Sequence, residues 1–148
     1  MGQTHQSIEI QVPADIVWNR IRNFYDMSWA PNVIQETRAI GETNGGGQVG
    51  SRRLLNGQFS ETLIELNDHA RIMRYSIDDG PSPVSKAEID NYAGCIEVRP
   101  SSSGTGALVE WSSGWEKNEE PVREFCQNIY VALLNDMKQS LEAANSAD

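Results

Sequence analysis

The run from Asn118 to Ala144 reads NEEPVREFCQNIYVALLNDMKQSLEAA. Its apolar residues return every three or four positions: Val122, Phe125, Cys126, Ile129, Leu133, Met137 and Leu141. That spacing lays one continuous stripe along an α-helix. Asn118 is a suitable N-cap, Pro121 falls in the first turn where a missing N–H is harmless, and Glu119 and Glu120 suit the positive end of the helix dipole. Roughly 24 residues at about 1.5 Å each predict a rod near 36 Å long. No other segment reads as a long helix, so strands must cover this stripe.

The strands are found by working back from it. Gln3–Val12 alternates, with Ile8, Ile10 and Val12 on one face. Pro13-Ala14-Asp15 opens a short helix to Arg22 with Ile16, Val17 and Ile21 facing inward. Phe24–Trp29 reads as a second short helical turn stopped by Pro31. A strand over Asn32–Glu42 leads to the flexible turn Thr43-Asn44-Gly45-Gly46-Gly47. Val49–Leu55 and Phe59–Leu66 form a hairpin about Asn56-Gly57, a dipeptide that tolerates the left-handed backbone of a tight turn. Arg71–Asp78, Ile89–Arg99 and Ala107–Trp115 complete the strands. Gly80-Pro81-Ser82-Pro83-Val84 is a stiff loop, because two prolines fix their φ angles. Short turns between successive strands imply antiparallel pairing, and hence an α+β meander in a single domain spanning residues 1–148.

Composition narrows the function classes. The chain of 148 residues is 39% hydrophobic and 22% charged, with 12 basic against 21 acidic side chains and a net charge of −9. Such a surface repels nucleic acid and anionic head groups, and no Lys/Arg cluster overrides it. The longest apolar run is far short of the ~20 residues of a membrane span. The first ten residues lack the pattern of a secretion signal, so a cytoplasmic location is expected. Cys95 and Cys126 read as buried small hydrophobes rather than a disulfide. His5 and His69, far apart in unlike contexts, give no metal-ligand spacing, so neither metal nor cofactor is expected.

Several segments, taken in order, resemble one family. They are the first strand with Pro13-Ala14-Asp15-Ile16-Val17-Trp18; Trp29-Ala30-Pro31; Val49-Gly50-Ser51-Arg52-Arg53; and Glu61-Thr62-Leu63. Further along come Tyr75-Ser76-Ile77 with Gly80–Val84, Asn91-Tyr92, Val109-Glu110-Trp111 and the terminal helix. Together they resemble the START-like, or SRPBCC, superfamily, and within it the polyketide cyclase/dehydrase group of small bacterial proteins. The resemblance implies a helix-grip fold, like that of START domains and birch-pollen allergens. In that fold a curved antiparallel sheet of about seven strands wraps the C-terminal helix, two short helices follow the first strand, and a cavity for apolar ligands lies between sheet and helix.

Alternation assigns faces to the strands. It puts Met73, Tyr75 and Ile77 on one side of their strand, and Tyr92, Gly94, Ile96 and Val98 on one side of theirs. Gly94, lacking a side chain, is expected to leave room in the middle. Alignment with the superfamily's plant hormone-receptor branch places Tyr75, Ile77 and Tyr92 on the cavity side, where the helix would add Phe125, Ile129 and Leu133. A buried Tyr hydroxyl needs a partner, which a ligand would supply. Arg53 and Glu61 lie on the two arms of the Asn56-Gly57 hairpin. The alignment turns both inward as an anchor for a ligand's polar end, whereas a surface ion pair on the outer face is the plain alternative. Leu55, Gln35 and Glu110 join the implied ligand set. The last strand carries a conflict: its pattern buries Val109, Trp111 and Trp115, whereas the alignment turns Glu110, Ser112 and Gly114 inward, and a bulge near Ser112–Gly114 would reconcile them. Gly80–Val84 is expected as a rigid rim of the mouth, with Trp29 a candidate for the opposite lip or an incidental surface aromatic.

The leading expectation is binding of a small hydrophobic or amphipathic molecule. A second is an enzyme resembling aromatase/cyclases, with Glu61 or Tyr75 as acid or base and Arg53 stabilising an enolate. A third is a protein-interaction module whose acidic surface meets a basic partner. A homodimer is left open.

Overall fold

A computed structural model describes residues 1–41 and 46–146. Its elements are β1 (Gly2–Ile10), α1 (Ala14–Ile21), β2 (Thr37–Ile40), β3 (Arg52–Leu55), β4 (Phe59–Asn67), β5 (Ile72–Asp79), β6 (Asp90–Pro100), β7 (Ala107–Glu116) and α2 (Glu119–Ser146). The strands form one sheet in the order β1-β7-β6-β5-β4-β3-β2, with every neighbouring pair antiparallel. Strands β2 to β7 make the meander, and β1 adds at the far edge beside β7. This is the α+β helix-grip architecture.

The turn from β7 into α2 is sharp because Lys117 and Asn118 both take positive φ (69° and 57°). The 28 residues of α2 span about 42 Å, and the helix lies against β1 and β7. Its polar edge is stitched to the first strand and the residue just beyond it. Arg123 Nε donates to Gln3 O (3.1 Å), Lys138 Nζ to Glu9 O (2.9 Å), and Gln11 N to Glu142 Oε2 (2.8 Å). Asp136, buried on the other flank, accepts from the backbone N and from Nδ2 of Asn32, both at 2.7 Å. That contact holds the segment before β2 against the helix.

The structure departs from expectation in several places. Phe24–Trp29 is a pair of turns rather than a second helix. Asn23 Oδ1 accepts Tyr25 N and Asp26 Oδ1 accepts Ser28 N, and such short polar side chains compete with helical hydrogen bonds. In α1 the inward residues are Ala14, Val17, Trp18 and Ile21, while Ile16 is exposed. β2 begins at Thr37 rather than Asn32, because Asn56 Oδ1 takes the N–H groups of Gln35 and Glu36 and its Nδ2 donates to Val33 O. Of the expected Thr43–Gly47 turn, residues 43–45 lie outside the described residues, as does Glu42.

The conflict on the last strand resolves in favour of its own pattern. Val109, Trp111 and Trp115 are buried, and Glu110, Ser112 and Gly114 alternate away from them. The irregularity lies on the neighbouring strand: the β6–β7 register shifts between Asp90 and Ala93, where Asn91 has φ +56°. Tyr92, in step with Gly94, Ile96 and Val98, faces inward with Trp115 and stacks on it, ring centroids 5.8 Å apart.

Candidate ligand site

Arg53 and Glu61 are direct cross-strand partners on β3 and β4. Both side chains are almost fully buried, 4% and 6% exposed, so the pair faces the interior, not the outer sheet surface. Arg53 Nε and Nη2 converge on one oxygen, Glu61 Oε1, at 2.9 and 2.7 Å. Nη1 donates to Phe24 O at 2.9 Å and to Met27 Sδ at 3.4 Å. The guanidinium carbon sits 3.8 Å from the Phe24 ring centroid, a cation–π contact. Burial pushes the Glu61 carboxyl above the usual range, and the Arg53 charge and hydrogen bonds oppose that rise. The sequence left the pair's orientation open. What decides it is the turn segment at Phe24–Met27, which folds over Arg53 and supplies both an acceptor and an aromatic face.

Beside this pair lies a cavity of about 40 Å³. Of the residues expected to line it, Arg53, Leu55, Glu61, Tyr75, Ile77, Ile129 and Leu133 do so, joined by Met27, Ile34, Phe59, Trp111, Cys126 and Tyr130. Its volume suffices for a few waters and falls well below the ~300 Å³ at which sites for drug-sized ligands begin.

The reason for its small size is Tyr130, which the helical stripe did not single out. Val122, Cys126, Tyr130, Leu133, Leu134, Met137 and Leu141 are the buried face of α2, with Phe125 and Ile129 at its margin. The gripping sheet covers a wider arc than the predicted stripe. The signal was available, because Tyr130 follows Val122 and Cys126 at intervals of four. Its hydroxyl is the hub of a buried network. Trp111 Nε1 donates to the Tyr75 hydroxyl at 3.0 Å, Tyr75 and Tyr130 share a hydrogen bond of 2.7 Å, and Tyr130 shares another with Tyr92. Trp111 also stacks on Tyr130, ring centroids 4.8 Å apart. Burial holds all three phenols well above their ordinary pKa, and it pushes the Cys126 thiol up to about 11. The tyrosines therefore satisfy one another, and no ligand is needed to do it.

Gly94 does not leave an opening. A Cβ placed there would stand 2.2 Å from Tyr75 Cζ, so the Tyr75 ring occupies the space that the glycine vacates. Other expected site residues lie elsewhere. Tyr92 is buried behind Tyr130 and is not part of the cavity wall. Gln35 is exposed, its Nε2 donating to Asn32 O. Glu110 faces outward, 24% exposed, and pairs with Arg99 at 2.5 Å. Trp29 is no lip: it is buried against Trp111, ring centroids 6.3 Å apart.

Outside the cavity is a groove of about 390 Å³ bordered by Val33, Ile34, Asn56, Gln58, Phe59, Pro81, Phe125 and Ile129. Phe125 belongs to this groove and not to the cavity, and it stacks on Phe59 with ring centroids 6.2 Å apart. Pro81 brings the stiff loop to the rim. Ile34, Phe59 and Ile129 border cavity and groove alike. Among the described residues no cluster of His, Cys, Asp and Glu suits a metal ion, and no helix is long and apolar enough to cross a membrane.

With this geometry in hand, comparison with known proteins is direct. The family model described as polyketide cyclase/dehydrase and lipid transport matches residues 1–142. The chain belongs to that family. The solved structure of a protein from Nitrosospira multiformis is 40% identical, with TM-score 0.91, over 97% of this chain and 99% of that one. The protein XoxI from Bacillus cereus is 26% identical, with TM-score 0.77, over 95% and 96% of the two chains. A protein from Thermobifida fusca at 24% identity and TM-score 0.78, covering 95% and 93%, shares the fold. No curated protein matches the chain.

Proposed function

We propose that this cyclase/dehydrase-family protein binds a small hydrophobic or amphipathic molecule between the sheet and α2, admitted from the outer groove. The observation that carries this reading is continuity: Ile34, Phe59 and Ile129 border both the groove and the cavity. An apolar path thus runs from solvent to the Arg53–Glu61 pair. The closed volume of about 40 Å³ is smaller than any such molecule, so entry requires the rim to yield. Phe59, Phe125 and Ile129 are only partly buried, and their displacement disturbs no hydrogen bond. Apolar area buried by the ligand contributes about 25 cal/mol per Å² toward that displacement. The proposal extends to a cytoplasmic setting, in keeping with two free cysteines.

The test is an amide NMR titration of the ¹⁵N-labelled protein with toluene. Saturable shifts at Ile77, Ile129 and Leu133 are expected, together with faster entry in Phe125→Ala. Shifts absent altogether, or scattered over the outer sheet face, would refute the reading.

A second reading, acid–base catalysis on a polyketide-like substrate, is favoured by one observation. Glu61 is a cavity carboxyl whose pKa is raised by burial, as a general acid requires. Turnover of a β-polyketone mimic that disappears in Glu61→Gln would establish it. Binding without turnover leaves carriage or sensing.

A further inference from the structure

The polar groups of the cavity lining can be followed one by one. Tyr75, Tyr130 and Trp111 are engaged with one another and with Tyr92. Arg53 commits Nε and one N–H of Nη2 to Glu61 Oε1, and Nη1 to Phe24 O and Met27 Sδ. Both guanidinium contacts with the carboxylate fall on Oε1. Among the described residues, no donor reaches Glu61 Oε2. Two side-chain valences therefore remain at the inner end of an otherwise apolar space: one carboxylate oxygen, and the second N–H of Nη2.

These valences discriminate among polar head groups. A carboxylate brought to this point can donate nothing to Oε2, and its charge is set against that of Glu61. An ammonium can donate to Oε2, but its charge is set against Arg53, in surroundings too dry to screen it. A neutral hydroxyl meets neither repulsion: it donates to Oε2 and keeps a lone pair for Nη2. The carboxylate stays ionised for this purpose, because a neutral Glu61 would strand the buried guanidinium without its counter-charge. We infer that the site selects a neutral hydroxylated apolar molecule, a phenol or an alcohol, over the matching carboxylic acid, with Glu61 Oε2 accepting the hydroxyl proton. This rests on the binding role proposed above and specifies which polar end the Arg53–Glu61 pair would hold.

The experiment is calorimetric or NMR titration at neutral pH with four probes of one shape: p-cresol, its methyl ether 4-methylanisole, 4-methylbenzoate and toluene. A hydrogen bond to a charged acceptor predicts that p-cresol binds about tenfold to a hundredfold tighter than 4-methylanisole, with 4-methylbenzoate weaker still. In Glu61→Gln the preference for p-cresol over the ether should shrink. Where that variant does not fold, the wild-type series alone decides. Equal binding of p-cresol and its ether, or 4-methylbenzoate binding as tightly as p-cresol, would overturn the inference and leave the binding role standing. Failure of all four probes, toluene included, would overturn both.

Discussion

Replacing Gly94 by alanine puts the packing argument at its greatest risk. The glycine lies in the middle of β6, paired with Tyr75 of β5, and an added Cβ would stand 2.2 Å from Tyr75 Cζ and 2.4 Å from its hydroxyl. Ordinary contact begins near 3.4 Å, so the ring must retreat by about 1.2 Å. It has little room to do so, because Trp111 meets it edge-on with centroids 6.5 Å apart and its hydroxyl is tied to Trp111 and Tyr130. Overpacking of a filled core costs about 1–3 kcal/mol, and disrupting the two hydroxyl contacts adds roughly 1 kcal/mol each. We therefore expect Gly94→Ala to destabilise by about 3–5 kcal/mol, read from urea unfolding as a fall in the midpoint at unchanged m-value. Tyr75→Ala should destabilise on its own by emptying the same space. Against that background the alanine at position 94 should cost less than about 1 kcal/mol, because the atom it collides with is gone. A single Gly94→Ala variant within 1 kcal/mol of wild type would mean that the ring does not fill the glycine's place, and the account of the small cavity would fall.

Other outcomes follow from the same contacts. Tyr130→Phe removes the hub hydroxyl and leaves those of Tyr75 and Tyr92 short of a partner, so a loss of about 1–3 kcal/mol is expected by the same unfolding assay. Arg53→Met and Glu61→Leu should each cost about 3–5 kcal/mol by stranding one buried charge, and the double variant less than either single change; a double variant worse than both would contradict the pairing. Cys126, its thiol pushed from 9.0 to about 11 by burial, should resist alkylation in the native protein more than Cys95, which is only partly buried. A thiol with a raised folded pKa keeps the folded state proton-rich, so its share of stability is full below about pH 9 and is lost as pH rises toward 11. The buried phenols add to the same alkaline fall, which a pH series of thermal melts would register.

The order of elements was legible because the signals for it are local. Period-two alternation marked every strand to within a few residues except β2, and Asn56-Gly57 took the left-handed turn that its residues favour. The site was legible only in part. Alternation put Arg53 and Glu61 on one face each, but which face depended on Phe24 and Met27, more than 25 residues away in sequence. Tyr130 escaped notice because a stripe traced at its narrowest omits the flank of a helix that a curved sheet embraces on both sides. Gly94 misled for a related reason: an absent side chain signals space without saying what enters it, and the occupant comes from the adjacent strand. The resemblance placed Glu110 and Ser112 inward where the strand's own pattern did not, and continuous pairing from Ala93 opposite Gly114 to Pro100 opposite Ala107 sides with the pattern.

The stitching of α2 along β1 also constrains how the protein comes together. Gln11 waits for Glu142, a partner 131 positions later, and residues 2–10 find their sheet neighbours only at 107–115. On a ribosome the meander could assemble first, but the opening strand would stay unpaired until almost everything else had been synthesised. Contacts so distant along the chain slow the closing step. During that interval the unpaired backbone N–H and C=O groups of β1 are the kind of strand edge that another chain can pair with.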